Sequence, residues 1–167
     1  MSHEISGIIT SFPLQDDLPN VVLVGNYHFI PTEPRWETSF QESVIPPYGK
    51  YTKAVRKKIK ELSFTGPCAY VETSFFVEGT QFSEVWKNGV LEFGPALSFH
   101  GHSQEIYEKL VSEYHGFPIV KESINSSLRL IGIFCREQMD EFDSARLGCY
   151  RSNEEILQEY KLKKKTV

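Results

Sequence analysis

The sequence has no apolar run close to the roughly 20 residues that a helix needs to cross a bilayer. Its first residues, MSHEISGIITSF, lack the basic segment and the long apolar segment of a secretory signal peptide. It has only three cysteines, Cys68, Cys135 and Cys149, and no C-x-x-C pair, so neither a disulfide framework nor a structural zinc site is indicated. These absences predict a soluble protein of the reducing cytoplasm with no membrane partner.

An excess of positive charge is missing too. The formal net charge is −4, and the isoelectric point is near 5.8. Phosphate binding needs a basic surface, so the charge argues against nucleic acid as the main partner. The sequence also contains no P-loop, no G-x-G-x-x-G and no G-x-S-x-G, and we predict no cofactor.

What is present indicates one globular domain. The 167 residues are 40% hydrophobic, with 12 Phe and 8 Tyr to fill packed sheet faces. We find no internal repeat and no low-complexity linker. The predicted divisions are a β-hairpin (1–29), an irregular segment with four prolines (30–51), an α+β core (52–162) and a solvated tail (163–167).

Two strands and four helices are expected outside the central sheet segment. Residues 5–12 and 20–29 are rich in β-formers and should pair as an antiparallel hairpin. Apolar residues recur at helical spacing over four segments: 52–64, 103–115, 121–131 and 153–162. Ser103 and Ser152 are the predicted N-caps of the second and the fourth segment. The predicted buried stripes are, in chain order, Val55, Ile59 and Leu62; Ile106, Leu110, Val111 and Tyr114; Ile124, Leu128 and Ile131; and Ile156, Leu157 and Tyr160.

The first of these helices carries a basic cluster. Lys53, Arg56, Lys57 and Lys60 lie away from its apolar stripe. The cluster is either a docking surface for an acidic partner or phosphates, or a solvated helix face, and we favour the second interpretation.

Residues 69–96 alternate like a β-meander. Asn88-Gly89 is a strong type I′ hairpin signal, and it sets Trp86 opposite Leu91 and Glu84 opposite Phe93. A second turn at Glu78-Gly79 would set Thr73 opposite Glu84. One face of the meander would then be the core side, formed by Val71, Thr73, Phe75, Phe82, Glu84, Trp86, Leu91 and Phe93. The other would carry Tyr70, Glu72, Phe76, Gln81, Ser83, Val85, Val90 and Glu92.

Glu84 is therefore predicted to be buried between aromatic side chains. A buried carboxylate needs hydrogen bonds or a cation, since desolvation raises its pKa. Under a structural interpretation, which we favour, it accepts from Thr73 and pairs with an arginine; the candidates are Arg129, Arg146 and Arg151. Under a functional one it lines a cleft as a general base or ligand. In a third alternative, the strand ends early and Glu84 reaches solvent at an edge.

Two further groups of residues are weak candidates for metal binding. His100 and His102 are two apart, as in a chelating pair on an extended segment, with Glu72, His28 or His115 as a third ligand. The acidic stretch at 137–143 lacks the alternating ligands of a calcium loop, and we favour a polar loop there. We therefore predict no metal site. Cys149, between Arg146 and Arg151, is the one cysteine whose flanking charges favour reactivity.

The order of short motifs from residue 68 to about 156 resembles a loose group of small uncharacterised bacterial cytosolic proteins. The motifs are YVETSFF, EGTQ, VWKNGVLEFGP, SINSSLRLIGI, DEFD and LGCYRSNEE. The resemblance implies an immunity or accessory protein of a toxin system, which acts by binding, and it implies no catalytic residue. The positions that it marks as a candidate binding cluster are Glu72, Gln81, Trp86, Asn125, Asp140, Glu141, Asp143 and Arg151.

The predicted fold class is α+β: an antiparallel sheet made of the N-terminal hairpin and the 68–95 meander, with three or four helices packed on one face. The leading hypothesis is a binding protein, such as an immunity-type inhibitor, with a protein partner that contacts an acidic, aromatic-containing surface. The alternative is a small metal-dependent or acid/base hydrolase that uses Glu72 or Glu84 with His100 and His102. A homo-oligomer built through an exposed strand edge is a third hypothesis.

Overall fold

A computed structural model describes residues 3–15, 17–32, 50–75 and 79–166 of the chain. The strands are β1 (His3–Thr10), β2 (Val21–Val22), β3 (His28–Pro31), β4 (Cys68–Phe75), β5 (Gly79–Lys87) and β6 (Val90–His100). The helices are α1 (Lys53–Leu62), α2 (Gln104–Glu113), α3 (Ser123–Leu130), α4 (Glu141–Ser144) and α5 (Asn153–Lys165), with a 3-10 turn at Leu147–Cys149.

All six strands form one antiparallel sheet in the order β2-β3-β1-β4-β5-β6. The predicted α+β class is thereby confirmed. The expected strand at 20–29 is split in two by a turn, in which Gly25 and Asn26 have φ of 79° and 62°. As a result β1 pairs with β3, and β2 lies at the edge of the sheet. Most of the predicted irregular segment, residues 33–49, lies outside the described residues.

The turn at Asn88-Gly89 is confirmed, because both residues have positive φ (51° and 74°) and Trp86 pairs with Leu91. The pairing of Glu84 with Phe93 is wrong. Phe93 pairs with Val85 instead, and Glu84 lies at an irregularity between Ser83 and Val85.

The predicted register of β4 on β5 is also wrong. Glu84 lies opposite Tyr70 rather than Thr73, and Phe82 lies opposite Glu72. Gly79, expected in a two-residue turn, instead belongs to β5 and pairs with Phe75, so the pairing is displaced by three residues. An odd displacement exchanges the two faces of a strand. Tyr70 and Glu72 therefore share the face of Glu84, while Val71 and Thr73 lie on the opposite face.

Helices cover both faces of the sheet, not one as expected. On the first face, Val55 and Ile59 of α1 pack with Tyr70 and Phe82. On the second face, α3 contacts β4, β5 and β6, α5 contacts β1, β2 and β3, and Phe142 of α4 packs against the same core. The prediction of packing on one face is wrong because consecutive strand residues, which point to opposite faces of the sheet, are both apolar. Ile8, for example, belongs to the core on the first face and Ile9 to the core on the second.

The predicted stripe is buried at Val55 and Ile59 of α1 and throughout that of α3, whereas on α5 only Ile156 of the predicted stripe is buried. Thr52 caps α1, and Ile124 and Leu128 of α3 are buried, as is Ile131 at its C-cap. Ser152 caps α5 as expected, and α5 continues to Lys165, so the predicted tail is largely helical. Helix α2 begins at the Ser103 cap, but none of its residues is buried. The short helix α4 was expected as a loop. No helix in the described ranges is both long and apolar enough to span a bilayer.

Candidate functional site

Glu84 lies beneath α1, on the first face of the sheet, with no exposed surface. Arg56 Nη2 donates to its Oε1 at 2.8 Å, and Trp86 Nε1 donates to its Oε2 at 2.9 Å. The Tyr51 hydroxyl also donates to Oε2. Three donors from three segments thus converge on one carboxylate, as a buried charge requires.

The chain brings these groups together through two contacts between α1 and the 88–89 turn. The Asn88 N–H donates to the Ser63 carbonyl at 2.9 Å, and the Gly89 N–H donates to Ser63 Oγ at 2.9 Å. The end of α1 is thereby tied to the hairpin that carries Trp86. Tyr51 directly precedes Thr52, the N-cap of α1, and its ring stacks on Tyr70 with centroids 4.1 Å apart.

Burial of Glu84 and its pairing with neighbouring groups act in opposite directions on its pKa. Burial raises the pKa of the Glu84 carboxyl, and the hydrogen bonds from Tyr51 and Trp86 and the charge of Arg56 oppose that rise. Burial and the neighbouring carboxylate raise the pKa of Tyr51 as well, which keeps its hydroxyl protonated as a donor. The Arg56 guanidinium lies over the Trp86 ring, 5.5 Å from its centroid.

Burial of Glu84 is therefore confirmed, but the expected partners are wrong. Its cation is Arg56, which the sequence placed on a solvated helix face, and not Arg129, Arg146 or Arg151. Thr73 is on the other face of the sheet. Because both carboxylate oxygens already accept hydrogen bonds and are shielded from solvent, the arrangement suits an anchor for Arg56 better than a general base.

Glu72 lies on the same face, two residues along β4 from Tyr70. The Tyr70 hydroxyl donates to Glu72 Oε2 at 2.8 Å. Glu72 is only partly buried. Glu72 and Trp86 are thus the two members of the predicted binding cluster that lie on the sheet face of Glu84.

His100 and His102 lie at the far end of β6. His100 pairs with Gly79, five residues along β5 from Glu84, which is roughly 17 Å at the usual strand rise. Burial lowers the pKa of His100. The other suggested ligands are bonded elsewhere, His28 to Asn20 and His115 to the Ser112 carbonyl. In the ranges that the structure describes, no three His, Cys, Asp or Glu side chains are grouped to hold a metal.

Four residues marked by the family resemblance do meet, at the junction of α3 and α4. Asn125 Nδ2 donates to Asp140 Oδ2 at 3.2 Å and its Oδ1 accepts from the Phe142 N–H at 3.0 Å. Asp140 accepts from the Asp143 N–H at 2.9 Å and so caps α4. Glu141 pairs with Arg129 at 2.7 Å. These contacts hold the two helices together.

The other marked residues are dispersed. Gln81 faces the second core side and accepts from Ser98 Oγ at 3.3 Å. Arg151 lies at the start of α5, where its N–H donates to Glu155 at 2.8 Å and its carbonyl accepts from Glu4 N at 2.7 Å. The predicted binding cluster is thus divided between the two faces of the sheet.

An open depression lies above the buried carboxylate. It has a volume of about 360 Å³ and is lined by Trp86 and by four cationic side chains of α1. We call these four residues the basic face of α1: Lys53, Arg56, Lys57 and Lys60. Sequence reasoning missed Tyr51 and Arg56 as site residues. Arg56 is one turn from Thr52, but only the tertiary contact with β5 shows that it points toward Glu84.

The fold and the site define an α+β protein with one six-stranded antiparallel sheet and a buried acid that orients a cationic helix. Comparison with protein-family models, with curated proteins and with solved structures finds no match to this chain. The family resemblance of the motifs accordingly stays a prediction.

Proposed function

We propose that this protein acts by binding another protein, and that the basic face of α1 contacts an acidic surface of that partner. The observation that carries the proposal is the segregation of charge. Helix α1 has five cations and one acid, a net charge of +4, in a chain of net charge −4, which leaves −8 for the remainder. Charge concentrated on one helix gives a field that steers a complementary partner.

The cations of this helix are only partly neutralised within the protein. Glu84 pairs with Arg56. Lys57 and Lys60 form no ion pair with any carboxylate in the described part of the chain, and both are exposed. A contact surface needs such uncompensated charges, since a cation already paired gains less from a partner.

Arg56 adds rigidity to this surface. Its guanidinium is held by Glu84 beneath and by the Trp86 ring beside it, while its side chain stays 32% exposed. A preordered arginine beside an aromatic ring loses less conformational entropy on binding, and both residue types are common in interface hot spots.

An acidic surface on this protein, which the sequence led us to expect, has less support than the basic one. The acidic stretch at 140–143 is engaged internally, because Asp140 caps α4 and Glu141 pairs with Arg129. A protein partner is favoured over nucleic acid because the basic face is one short helix on an otherwise acidic chain. The three free cysteines support action in the reducing cytoplasm, and the immunity-type role stays a narrower hypothesis within this proposal.

The test uses a fluorescent ten-residue polyglutamate peptide as the probe of acidic surfaces. We expect saturable binding that weakens several-fold between about 50 and about 200 mM salt. The double variant Lys57→Glu/Lys60→Glu should weaken binding at least about tenfold, equivalent to about 1.4 kcal/mol.

The matched control is Lys161→Glu/Lys165→Glu on α5, which changes the net charge equally at two exposed lysines. It should leave the affinity within about twofold. Equal losses in the two variants, no binding by the wild type, or tighter binding of a DNA duplex than of the peptide would contradict the proposal.

A further inference from the structure

A second cavity lies on the opposite face of the sheet, between edge strand β2, the 3-10 turn and α5. Its volume is about 240 Å³. Two apolar residues, Val22 and Leu23, form one wall, and five polar or ionisable side chains form the rest: Arg146, Cys149, Tyr150, Glu159 and Lys163. The site shares no residue with the basic face of α1, so it is independent of the function proposed above.

Tyr150 and Lys163 are both held in place by Glu159. The Tyr150 hydroxyl donates to Glu159 Oε2 at 2.8 Å, and Lys163 Nζ lies 2.7 Å from Glu159 Oε1. The Lys163 hydrogen bond lowers the pKa of Glu159, while burial and the bond to Glu159 raise the pKa of Tyr150. Glu159 is therefore ionised and Tyr150 is a fixed donor at neutral pH.

Arg146 is left as the uncommitted cation of the cavity. Its charge acts on both Tyr150 and Glu159, so the guanidinium is near them. Yet no hydrogen bond or ion pair of its side chain occurs within the described ranges. With Lys163 and Glu159, it gives the lining a net charge of +1 in a chain of net charge −4.

The backbone of Arg146 is in the left-handed region, with φ of 70°. It follows α4 at the position where glycine is usual, because a side chain there costs about 1 kcal/mol or more. Arginine is conformationally unfavourable at this position. A binding role of its guanidinium in the cavity would account for its presence.

We propose that this cavity binds a small dianion, a phosphate or a dicarboxylate, through the guanidinium of Arg146, beside the ion pair of Lys163 and Glu159. A guanidinium matches the paired oxygens of either group. The volume is below the roughly 300 Å³ at which drug-sized ligand pockets begin, so a small acid fits and a nucleotide does not. Cys149 on the cavity wall is exposed, so the rate at which its thiol is alkylated reports whether an anion occupies the cavity.

The experiment measures alkylation of Cys149 by iodoacetamide, followed by mass spectrometry in a Cys135→Ser background. Cys68 is buried and so does not compete. We expect inorganic phosphate or succinate to slow the reaction at least about fivefold and saturably. Chloride at equal ionic strength should not slow it. Whichever of the two anions protects at lower concentration identifies the class of dianion.

Arg146→Gly separates a binding role from a structural one. Glycine suits φ of 70°, so the variant should unfold at an equal or higher temperature, and Cys149 should still react, but protection should be lost. Arg136→Ala removes an equal charge at another cavity and should keep protection. The proposal is overturned by unprotected wild-type protein, by equal protection with chloride, or by protection that survives in Arg146→Gly.

Discussion

At the scale of single residues, Glu84 and Arg56 depend on each other unequally. Glu84 is fully buried, whereas the Arg56 side chain is 32% exposed. Loss of the arginine leaves a buried carboxylate with only Tyr51 and Trp86 as donors, while loss of the carboxylate leaves a cation that still reaches solvent.

The variant Arg56→Met should therefore destabilise the fold by about 2 to 3 kcal/mol at neutral pH. The usual cost of breaking a fully buried pair is about 3 to 5 kcal/mol, and partial exposure of Arg56 reduces it. Urea unfolding measures the change. The control is Lys57→Met, one residue along α1 and exposed, which should change the unfolding free energy by less than about 0.5 kcal/mol.

The pH dependence of this deficit follows from the pKa of Glu84. Burial raises the folded-state pKa of the Glu84 carboxyl above its usual value, and removal of Arg56 raises that pKa further. The stability that a raised carboxyl contributes is complete below the unfolded pKa and is lost as pH rises through the folded pKa. Both proteins lose this stability above the unfolded pKa, but the loss ends at the folded-state pKa of the wild type and continues in the variant up to its higher folded-state pKa. The deficit should therefore grow as pH rises above the wild-type folded-state pKa of Glu84. A deficit that shrinks over that range would contradict the assignment of Arg56 as the partner.

At the scale of elements, β1 depends on close contact with β3. A Cβ added at Gly7 would lie 2.3 Å from the Ile30 carbonyl oxygen and 2.7 Å from the Phe29 ring. Both neighbours belong to β3, which pairs with β1 on this side. The glycine is therefore required by the approach of backbone and ring.

Gly7→Ala should consequently cost about 1 to 3 kcal/mol, because overpacking must displace backbone as well as a side chain. Gly116→Ala is the matched control, since no atom lies within 4 Å of its added Cβ. That change should be neutral or stabilise by up to about 1 kcal/mol through a smaller unfolded-state entropy. Thermal unfolding of both variants tests the pair, and equal effects would contradict the close approach.

At the scale of the whole molecule, two hydrophobic cores share one sheet. Alternate residues of β1 and β4 belong to different cores, such as Ile8 and Ile9. The outer edge of β6 is also partly covered, because Leu97 bonds with Pro118 and Val120 at 2.9 and 2.8 Å. This cover reduces the edge that the homo-oligomer hypothesis would use.

Because both cores are built on the same strands, loss of one core removes the packing that holds these strands for the other. We therefore expect one cooperative unfolding transition. Far-UV circular dichroism and hydrogen exchange of the α1 and α3 peptides should give the same unfolding free energy. In Arg56→Met, both peptides should shift together, although only α1 carries the substitution. Earlier opening of α1 alone would show that the two faces unfold independently.

Much of this architecture was predictable from local patterns. The α1 and α3 stripes, the caps at Ser103 and Ser152, and the Asn88-Gly89 turn were all expected and are all present. Each depends on residues within a few positions of one another. The burial of Glu84 was also predictable, because in a β-strand residue 84 points to the same side as the apolar residues Phe82 and Trp86.

The tertiary structure alone decided which elements meet. A three-residue displacement exchanged the faces of β4, and no local pattern specifies how many residues a connection uses. The partner of Glu84 came from a helix 28 positions earlier in the chain. Local sequence determines the direction of a side chain relative to its own backbone, whereas a buried charge is paired by whichever donor the packing of distant segments brings within hydrogen-bonding distance.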